Sequence, residues 1–318
     1  MKATYHSKYG SSEIISVVEL PKPKPSKKKI LIKVICTTVN RTDVAMTTGK
    51  PYINRMVAGF PNPKKKTPGT DFSGIVVEIG PEVSRFKIGD HVFGFDDSII
   101  SSQAEYLLLK EDGKITFKPE NVSFETAAAS CEGPHYAINM LSYIDVKPGD
   151  KVLVNGATGG IGSALIQLLK NKGAHVTAVI NTKNIPLINS YGVDEIIDYL
   201  KEDFTQQQIE YKYILDAVGK SSFKSCKSIL ASDGRYISSE LGNNSINLWL
   251  ALTNKRVSFP IPKNKLKTLE IMKNLLSEGK YKPIIDRRYP LENIMDAYQY
   301  VASGQKTGNV VINIGEVN

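Results

Sequence analysis

The sequence predicts an α/β protein: a doubly wound parallel sheet joined to a partly closed, β-rich domain. Three observations carry this. A strand, a glycine-rich turn, a helix and a second strand follow one another between Lys151 and Asn184. Strands and helices go on alternating after it, the texture of a parallel sheet wrapped by helices. The first ~120 residues are instead short β-prone runs separated by turns.

Taken in order, "KILIKVICTTVN" (Lys29 to Asn40) alternates apolar and polar residues at its start, and "FSGIVVEIG" (Phe72 to Gly80) is strongly β-branched. "GDHVFGF" (Gly89 to Phe95) and "AEYLLLK" (Ala104 to Lys110) continue the β pattern, with a helix expected near Thr42 to Thr48. From Ser123 the texture changes. "SFETAAASCEGPHYAINMLSYI" is alanine-rich and helical, with Ser123 as its N-cap and "VKPGD" as the turn into the next strand.

That strand, Lys151 to Asn155, is an apolar valine-rich run suited to a buried parallel position. Glycines crowd the turn at Gly156, Gly159, Gly160 and Gly162, and the helix that follows carries the stripe Ile161, Leu165, Ile166, Leu168 and Leu169. His175 to Ile180 is the second strand. Together these form the opening βαβ unit of a Rossmann domain. Tyr211 to Gly219, Gly234 to Glu240 and Arg256 to Ile261 are further strands. The tail offers helices at Asn264 to Glu278 and Leu291 to Ser303, then a strand from Gly308 to Ile314.

A dinucleotide diphosphate can rest on a helix N-terminus only where no side chain blocks it, and there it meets unpaired N–H groups and the positive end of the helix dipole. Ala157, Thr158, Gly159, Gly160, Ile161 and Gly162 are the expected cradle. Sites that prefer NAD place a carboxylate about 20 residues past the glycines, for the ribose 2′-hydroxyl. Here that stretch is Asn181, Thr182, Lys183, Asn184, with no carboxylate to repel a 2′-phosphate. Thr182 can donate a hydrogen bond and Lys183 brings a positive charge, so the expected cofactor is NADP(H).

At 318 residues and 41% hydrophobic the chain is an ordinary two-domain globular protein. It has no apolar stretch near the ~20 residues that span a bilayer, and "MKATYHSKYG" lacks the apolar core of a signal peptide. Three scattered cysteines, Cys36, Cys131 and Cys226, argue for a reducing cytoplasm. The net charge of +9 gathers at Lys22 to Lys29 and Lys64 to Lys66, beside prolines, with no aromatic residues interleaved to stack on bases. A solvated lysine surface is expected there rather than a nucleic-acid site.

The chain resembles the medium-chain dehydrogenase/reductase superfamily, in its zinc-free quinone oxidoreductase and alkenal/enone reductase branch. The resemblance covers nearly the whole chain. It rests on Val39 to Tyr52 (with Pro51 inserted before the tyrosine), on "PGTDFSGIVVEIGPEVSRFKIGDHVFG" (Pro68 to Gly94), and on "VKPGDKVLVNGATGGIG" (Val146 to Gly162). "DAVGK" (Asp216 to Lys220) and the terminal "GNVVINI" complete it. It implies a GroES-like catalytic domain over 1–123, completed by 263–318, with the Rossmann NADP(H)-binding domain over 124–262 inserted between. It also implies a homodimer, paired along a Rossmann edge strand for which Arg256 to Ile261 is the candidate.

The zinc-dependent alcohol dehydrogenases of this superfamily have Cys where this chain has Asn40, and His–Glu where it has Thr70–Asp71. No metal is therefore expected. Hydride transfer to a plain ketone needs an electrophile for the developing alkoxide, whereas a quinone or an enone or enal spreads the charge into a hydroquinone or enolate that hydrogen bonds can hold. The resemblance puts Asn40 beside the nicotinamide, Tyr52 at the substrate mouth and His135 in the pocket or the core. It puts Tyr199 by the adenosine, Val218, Gly219, Ser238 and Ser239 at the cofactor edge, and Gly308 and Asn309 in the segment that closes over the cofactor. Two other readings stay open: a zinc-type alcohol dehydrogenase, and a low-turnover NADPH-binding protein with a sensor or RNA-binding role.

Overall fold

The computed structural model describes residues 1–318 except 53, 99, 241, 243–245, 317 and 318. It divides into two compact units, 1–132 with 264–318, and 133–263.

In the first unit β1 (Lys2–Tyr5) and β2 (Ser16–Glu19) form an antiparallel ribbon. The long β3 (Lys29–Val39) leads to helices α1 (Arg41–Thr48) and α2 (Asn54–Ala58). Strands β4 (Asp71–Ile79), β5 (His91–Phe95), β6 (Tyr106–Lys110) and β7 (Ile115–Phe117) follow, then helix α3 (Phe124–Ala129). Helix α4 (Glu132–Leu141) starts on the last residue of the first unit's opening segment and runs on into the second unit, which continues through β8 (Lys151–Asn155), α5 (Gly160–Asn171), β9 (His175–Ile180), α6 (Ile185–Asn189) and β10 (Glu195–Asp198). Next come β11 (Tyr211–Asp216), α7 (Phe223–Cys226), β12 (Leu230–Ser238), α8 (Ile246–Thr253) and β13 (Val257–Ser258). The chain then returns to the first unit with α9 (Lys265–Ser277), β14 (Ile285–Pro290), α10 (Ile294–Ala302) and β15 (Asn309–Asn313).

The second unit's sheet runs β10-β9-β8-β11-β12-β13 with every pairing parallel. That is the doubly wound order, whose direction reverses between β8 and β11, where ligands of such sheets bind. Val152, Leu153, Val154, Ile214 and Leu215 are fully buried there, which explains why these strands are continuous apolar runs rather than alternating ones. The first unit's sheet runs β14-β15-β3-β4-β5-β7, with β6 also on β3. Two register shifts between β3 and β4 bend β3, so that β15 pairs with its later half and β6 with its earlier half.

The expected boundary at residue 123 falls nine residues too early, because α3 belongs to the first unit. Ala128 and Ala129 pack with Ile35, Cys36 and Val311, and Ser73 donates a hydrogen bond to the Phe124 carbonyl. Ser123 is the α3 N-cap, its hydroxyl accepting from the Thr126 N–H at 3.1 Å. The single long helical run is two helices. Pro134 has no N–H and would clash with the carbonyl four residues back, so it fits the first turn of a new helix. The strand expected over Arg256 to Ile261 shrinks to Val257–Ser258, at the sheet edge, with Pro260 beyond it. β14 was not foreseen. Its "IDRRYP" carries no β-branched pattern, and its pairing with β15 makes it a strand.

Candidate functional site

In the second unit β8 ends at Asn155 and the backbone turns at Gly156, whose φ of +78° is one that L side chains rarely adopt. A Cβ there would lie 1.8 Å from the Val218 side chain. Gly159 is the N-cap of α5, and a Cβ on Gly162 would lie 2.1 Å from the Gly156 carbonyl oxygen. Ala157 is buried, while Thr158, Gly159, Gly160 and Ile161 are partly open. The first turn of a helix leaves its N–H groups without intrahelical acceptors. A cradle with no intruding side chain and a helix N-terminus at its floor fits a dinucleotide diphosphate.

Beside it, the buried Asp216 carboxylate ends β11. It accepts from Asn155 Nδ2 at 3.1 Å, from the Val218 and Gly219 N–H groups at 3.1 and 3.0 Å, and from the Tyr236 hydroxyl at 2.8 Å. The bond across the reversal point locks the two strand ends together. Ser238 is buried and its hydroxyl accepts from Asn247 Nδ2 at 3.1 Å. The Ser239 hydroxyl and Asn247 Oδ1 are buried without a hydrogen-bond partner among the described residues. Asp216 and Asn247 escaped the sequence reading as site residues; the partners that single them out lie far along the chain.

At the end of β9 the surroundings differ from those expected of the sequence stretch alone. Thr182 and Lys183 sit in a short 3-10 turn (Thr182–Asn184) after β9. The Thr182 hydroxyl, expected to be available as a donor, donates to Asp198. The stretch without a carboxylate in sequence therefore has one in space, because β10 runs parallel to β9 and ends next to it. The Thr182 bond first, with the Leu200 N–H and Lys201 after it, holds Asp198 below the usual carboxylate range. Lys183 is exposed, and Tyr199 is 53% exposed. His135 is buried on α4, its ring edge-on to Tyr136 and its carbonyl accepting from Asn139 Nδ2 at 2.8 Å.

The first unit holds a buried polar network. Asn40, 4% exposed, is the N-cap residue of α1, and its N–H donates to Asp43 Oδ2 at 2.8 Å. Asn40 Nδ2 donates to Asp71 Oδ2 at 3.1 Å, and Thr38 donates to Asp71 Oδ1 at 2.5 Å. Thr42 donates to the Glu132 carboxyl. Three carboxyl groups share this region and cannot all ionise cheaply. Burial pushes Asp71 up to about 6, against the Thr38 and Asn40 hydrogen bonds. Burial, then repulsion from Asp71, pushes Glu132 up to about 8. Asp43 rises well above its ordinary value for the same reasons. Lys306, whose ammonium donates to the Gly308 carbonyl at 2.5 Å, is lowered by burial, while Glu132 opposes that shift.

Tyr52 lies apart from that network and is 69% exposed, with the Arg55 guanidinium 4.8 Å from its ring and 4.6 Å from that of Tyr9. Asn309 is buried and committed to the Ile284 carbonyl through both its N–H and its side chain, at 2.9 and 3.0 Å. Gly308 allows that approach, since a Cβ there would lie 2.3 Å from the same oxygen. Among the described residues, no three His, Cys, Asp or Glu side chains converge as metal ligands would.

Residues 26–117 match the family model described as alcohol dehydrogenase GroES-like domain, and residues 191–312 match the one described as zinc-binding dehydrogenase. The 2-methylene-furan-3-one reductase of Solanum lycopersicum is 30% identical over 98% of this chain and 79% of its own. The quinone-oxidoreductase homolog, chloroplastic, of Spinacia oleracea is 29% identical over 98% of both. Among solved structures, the quinone oxidoreductase from Coxiella burnetii superposes with a TM-score of 0.89 at 27% identity, over 99% of both chains. A glycine cradle at the reversal point of a 3-2-1-4-5-6 sheet, these two family models in this order and a relative of this extent agree: the chain belongs to the medium-chain dehydrogenase/reductase superfamily.

Proposed function

We propose that this protein is an NADPH-dependent oxidoreductase that transfers hydride to quinones or α,β-unsaturated carbonyls without a metal ion. The observation that carries the reading is the hydrogen bond from Asn40 to Asp71. Zinc-dependent relatives have ligand-type residues around these positions; here an amide N–H, which has no lone pair for a cation, faces the carboxylate. The names of the relatives, a furanone reductase and quinone oxidoreductases, support the same acceptor class.

The bound nicotinamide supplies the hydride, and the acceptor takes the charge into its own conjugated system. The chain's part is binding and orientation. The cradle from Ala157 to Gly162 holds the diphosphate, and Val218, Gly219, Ser238 and Ser239 line the strand ends beside it. Asn40 is held rigid by Asp71 and Asp43, which fixes its side chain as an orienting group. Tyr52, with the Arg55 guanidinium beside its ring, is the residue we assign to the acceptor carbonyl. His135, buried against Tyr136, we assign to packing that shapes the second unit. Two copies paired along the β13 edge and a reducing, cytoplasmic setting belong to the same reading. The latter is supported by three buried cysteines without disulfides. No helix of the described residues is long and apolar enough to cross a membrane.

Labelled cofactor tests the chemistry. Deuterium from C4 of NADPH is expected at the β-carbon of an enone product. Its appearance on the carbonyl carbon of an alcohol would overturn the reading in favour of a zinc-type alcohol dehydrogenase. Cofactor choice is a separate expectation, in which the Asp198 carboxylate weighs against a 2′-phosphate and Lys183 weighs for it. With the Thr182 hydroxyl engaged by Asp198, the exposed Lys183 is the cation of this turn that we assign to a 2′-phosphate. Lys183→Ala is expected to weaken NADPH by about 1.5–3 kcal/mol, the range of a charge-assisted bond, and NADH hardly at all. Equal losses in calorimetric titrations of the two cofactors would remove the NADPH assignment.

A further inference from the structure

Between the buried Asp43 and Asp71 the chain carries five cationic residues, Lys50, Arg55, Lys64, Lys65 and Lys66, and no carboxylate. Among the described residues of the first unit, the three most exposed large apolar side chains lie in the same stretch: Tyr52 at 69%, Met56 at 80% and Phe60 at 81%. Large apolar groups exposed singly are ordinary on a protein surface, but three within nine residues of one segment are a concentration rather than a scatter. The lysine cluster and the apolar residues are tied together. The Lys64 N–H donates to the Ala58 carbonyl at 2.8 Å, closing a turn around Gly59 and Phe60. The Tyr9 hydroxyl donates to the Gly59 carbonyl at 2.5 Å, and Arg55 Nε to the Gly49 carbonyl at 3.3 Å. These bonds hold the backbone of the segment, while Met56 and Phe60 stay exposed on it.

We propose that the segment 50–66 is an interfacial docking element that seats this protein reversibly on an anionic lipid surface. Charge complementarity selects the occupant. A short helix and turn with amphipathic aromatics, surrounded by lysine and arginine without any acid, has the composition of a membrane-surface element. An apolar protein partner would not by itself call for five cations. A nucleic acid would not call for Met56 and Phe60 at this exposure. Neither signal alone gives firm attachment, so binding is salt-sensitive and reversible. The proposal does not depend on which acceptor receives the hydride, although quinones and alkenals that partition into lipid would be met at such a surface.

Sedimentation of the full chain with vesicles tests it. The expected result is binding to phosphatidylcholine vesicles containing phosphatidylglycerol at low salt, loss of that binding at high salt, and none to phosphatidylcholine alone. Each lysine removed from the surface is expected to cost about fivefold in partition, so Lys64→Gln, Lys65→Gln and Lys66→Gln together should lower it about 100-fold. Met56→Ser with Phe60→Ser leaves the charge unchanged and should still lower it at least tenfold. Turnover of a water-soluble acceptor should be unaffected in both variants, and melting curves check that each is folded. Equal binding to neutral and anionic vesicles, or none to either, would overturn the proposal. So would a loss confined to the lysine variant together with equal retention of an RNA oligonucleotide, which would point to nucleic acid. A fall in molecular mass for the Met56→Ser, Phe60→Ser variant would instead make the patch a contact between copies, and overturn it too.

Discussion

Gly162→Ala is expected to abolish useful cofactor binding. The added Cβ would lie 2.1 Å from the Gly156 carbonyl oxygen and 2.8 Å from the Ala157 Cα, both backbone atoms that cannot swing aside. To fit it, the first turn of α5 must move away from the turn that follows β8, which opens the cradle. Overpacking of this kind costs about 1–3 kcal/mol of stability. The loss in affinity should be larger, about 100-fold or more, because N–H groups aimed at one position lose their aim together. Gly192→Ala is the matched control. Its φ of +67° disfavours alanine, a cost the helical Gly162 does not carry, but nothing lies within 4 Å, so it should lower the melting temperature slightly and leave cofactor affinity intact. Calorimetric titration of both variants checks this, and unchanged affinity in Gly162→Ala would remove the cradle from the cofactor site.

The second large effect is on stability against pH, through Glu132. Its carboxyl titrates near 8 in the folded protein, raised from an ordinary 4.5 by burial and by Asp71. Between those values the folded state holds a proton that the unfolded state has released. Stability from this group is therefore full below pH 4.5 and falls as pH rises towards 8. Asp71, raised from 3.8 to about 6, adds a fall of the same sign over its lower window. Lys306, lowered by burial, works in the opposite sense and offsets part of the loss at the alkaline end. Glu132→Gln keeps an acceptor oxygen for Thr42 and removes the titration. It should be more stable than the parent at pH 8 by about 2–4 kcal/mol, and its stability should be flatter from pH 5 to 8. Urea unfolding across that range measures both, and parallel profiles for the two proteins would mean Glu132 is ionised throughout.

Much of the fold was legible in the chain. Val152 to Val154 and the stripe from Ile161 to Leu169 state a strand and a helix through their periods, and the glycines between them state the turn. Such signals are local: burial on one face or two imposes a spacing that any window of the sequence displays. The helix break at Pro134 was equally open to a reading of local sterics, and was overlooked because the alanine-rich run around it dominates the pattern. β13 was legible with its ends drawn too wide, whereas β14 was not legible, since its structure comes from a ladder partner rather than from its own residues.

By itself, then, the sequence determined the order of the longer elements, the doubly wound second unit and the place of its glycine turn, because those follow from side-chain spacing and from where a backbone must run without a Cβ. The tertiary structure alone decided what the buried polar groups within each unit are bonded to. Asp198 reaches Thr182 because two parallel strands end side by side. Asp71 meets Thr38 and Asn40 because β3 and β4 are paired in register, and Glu132 meets Thr42 because the chain closes back on α1. Hydrogen bonds and the mutual repulsion of buried carboxyls act over a few ångströms of space, whatever the separation along the chain. The charge state of this site is a property of the packed fold and has no counterpart in any single stretch of residues.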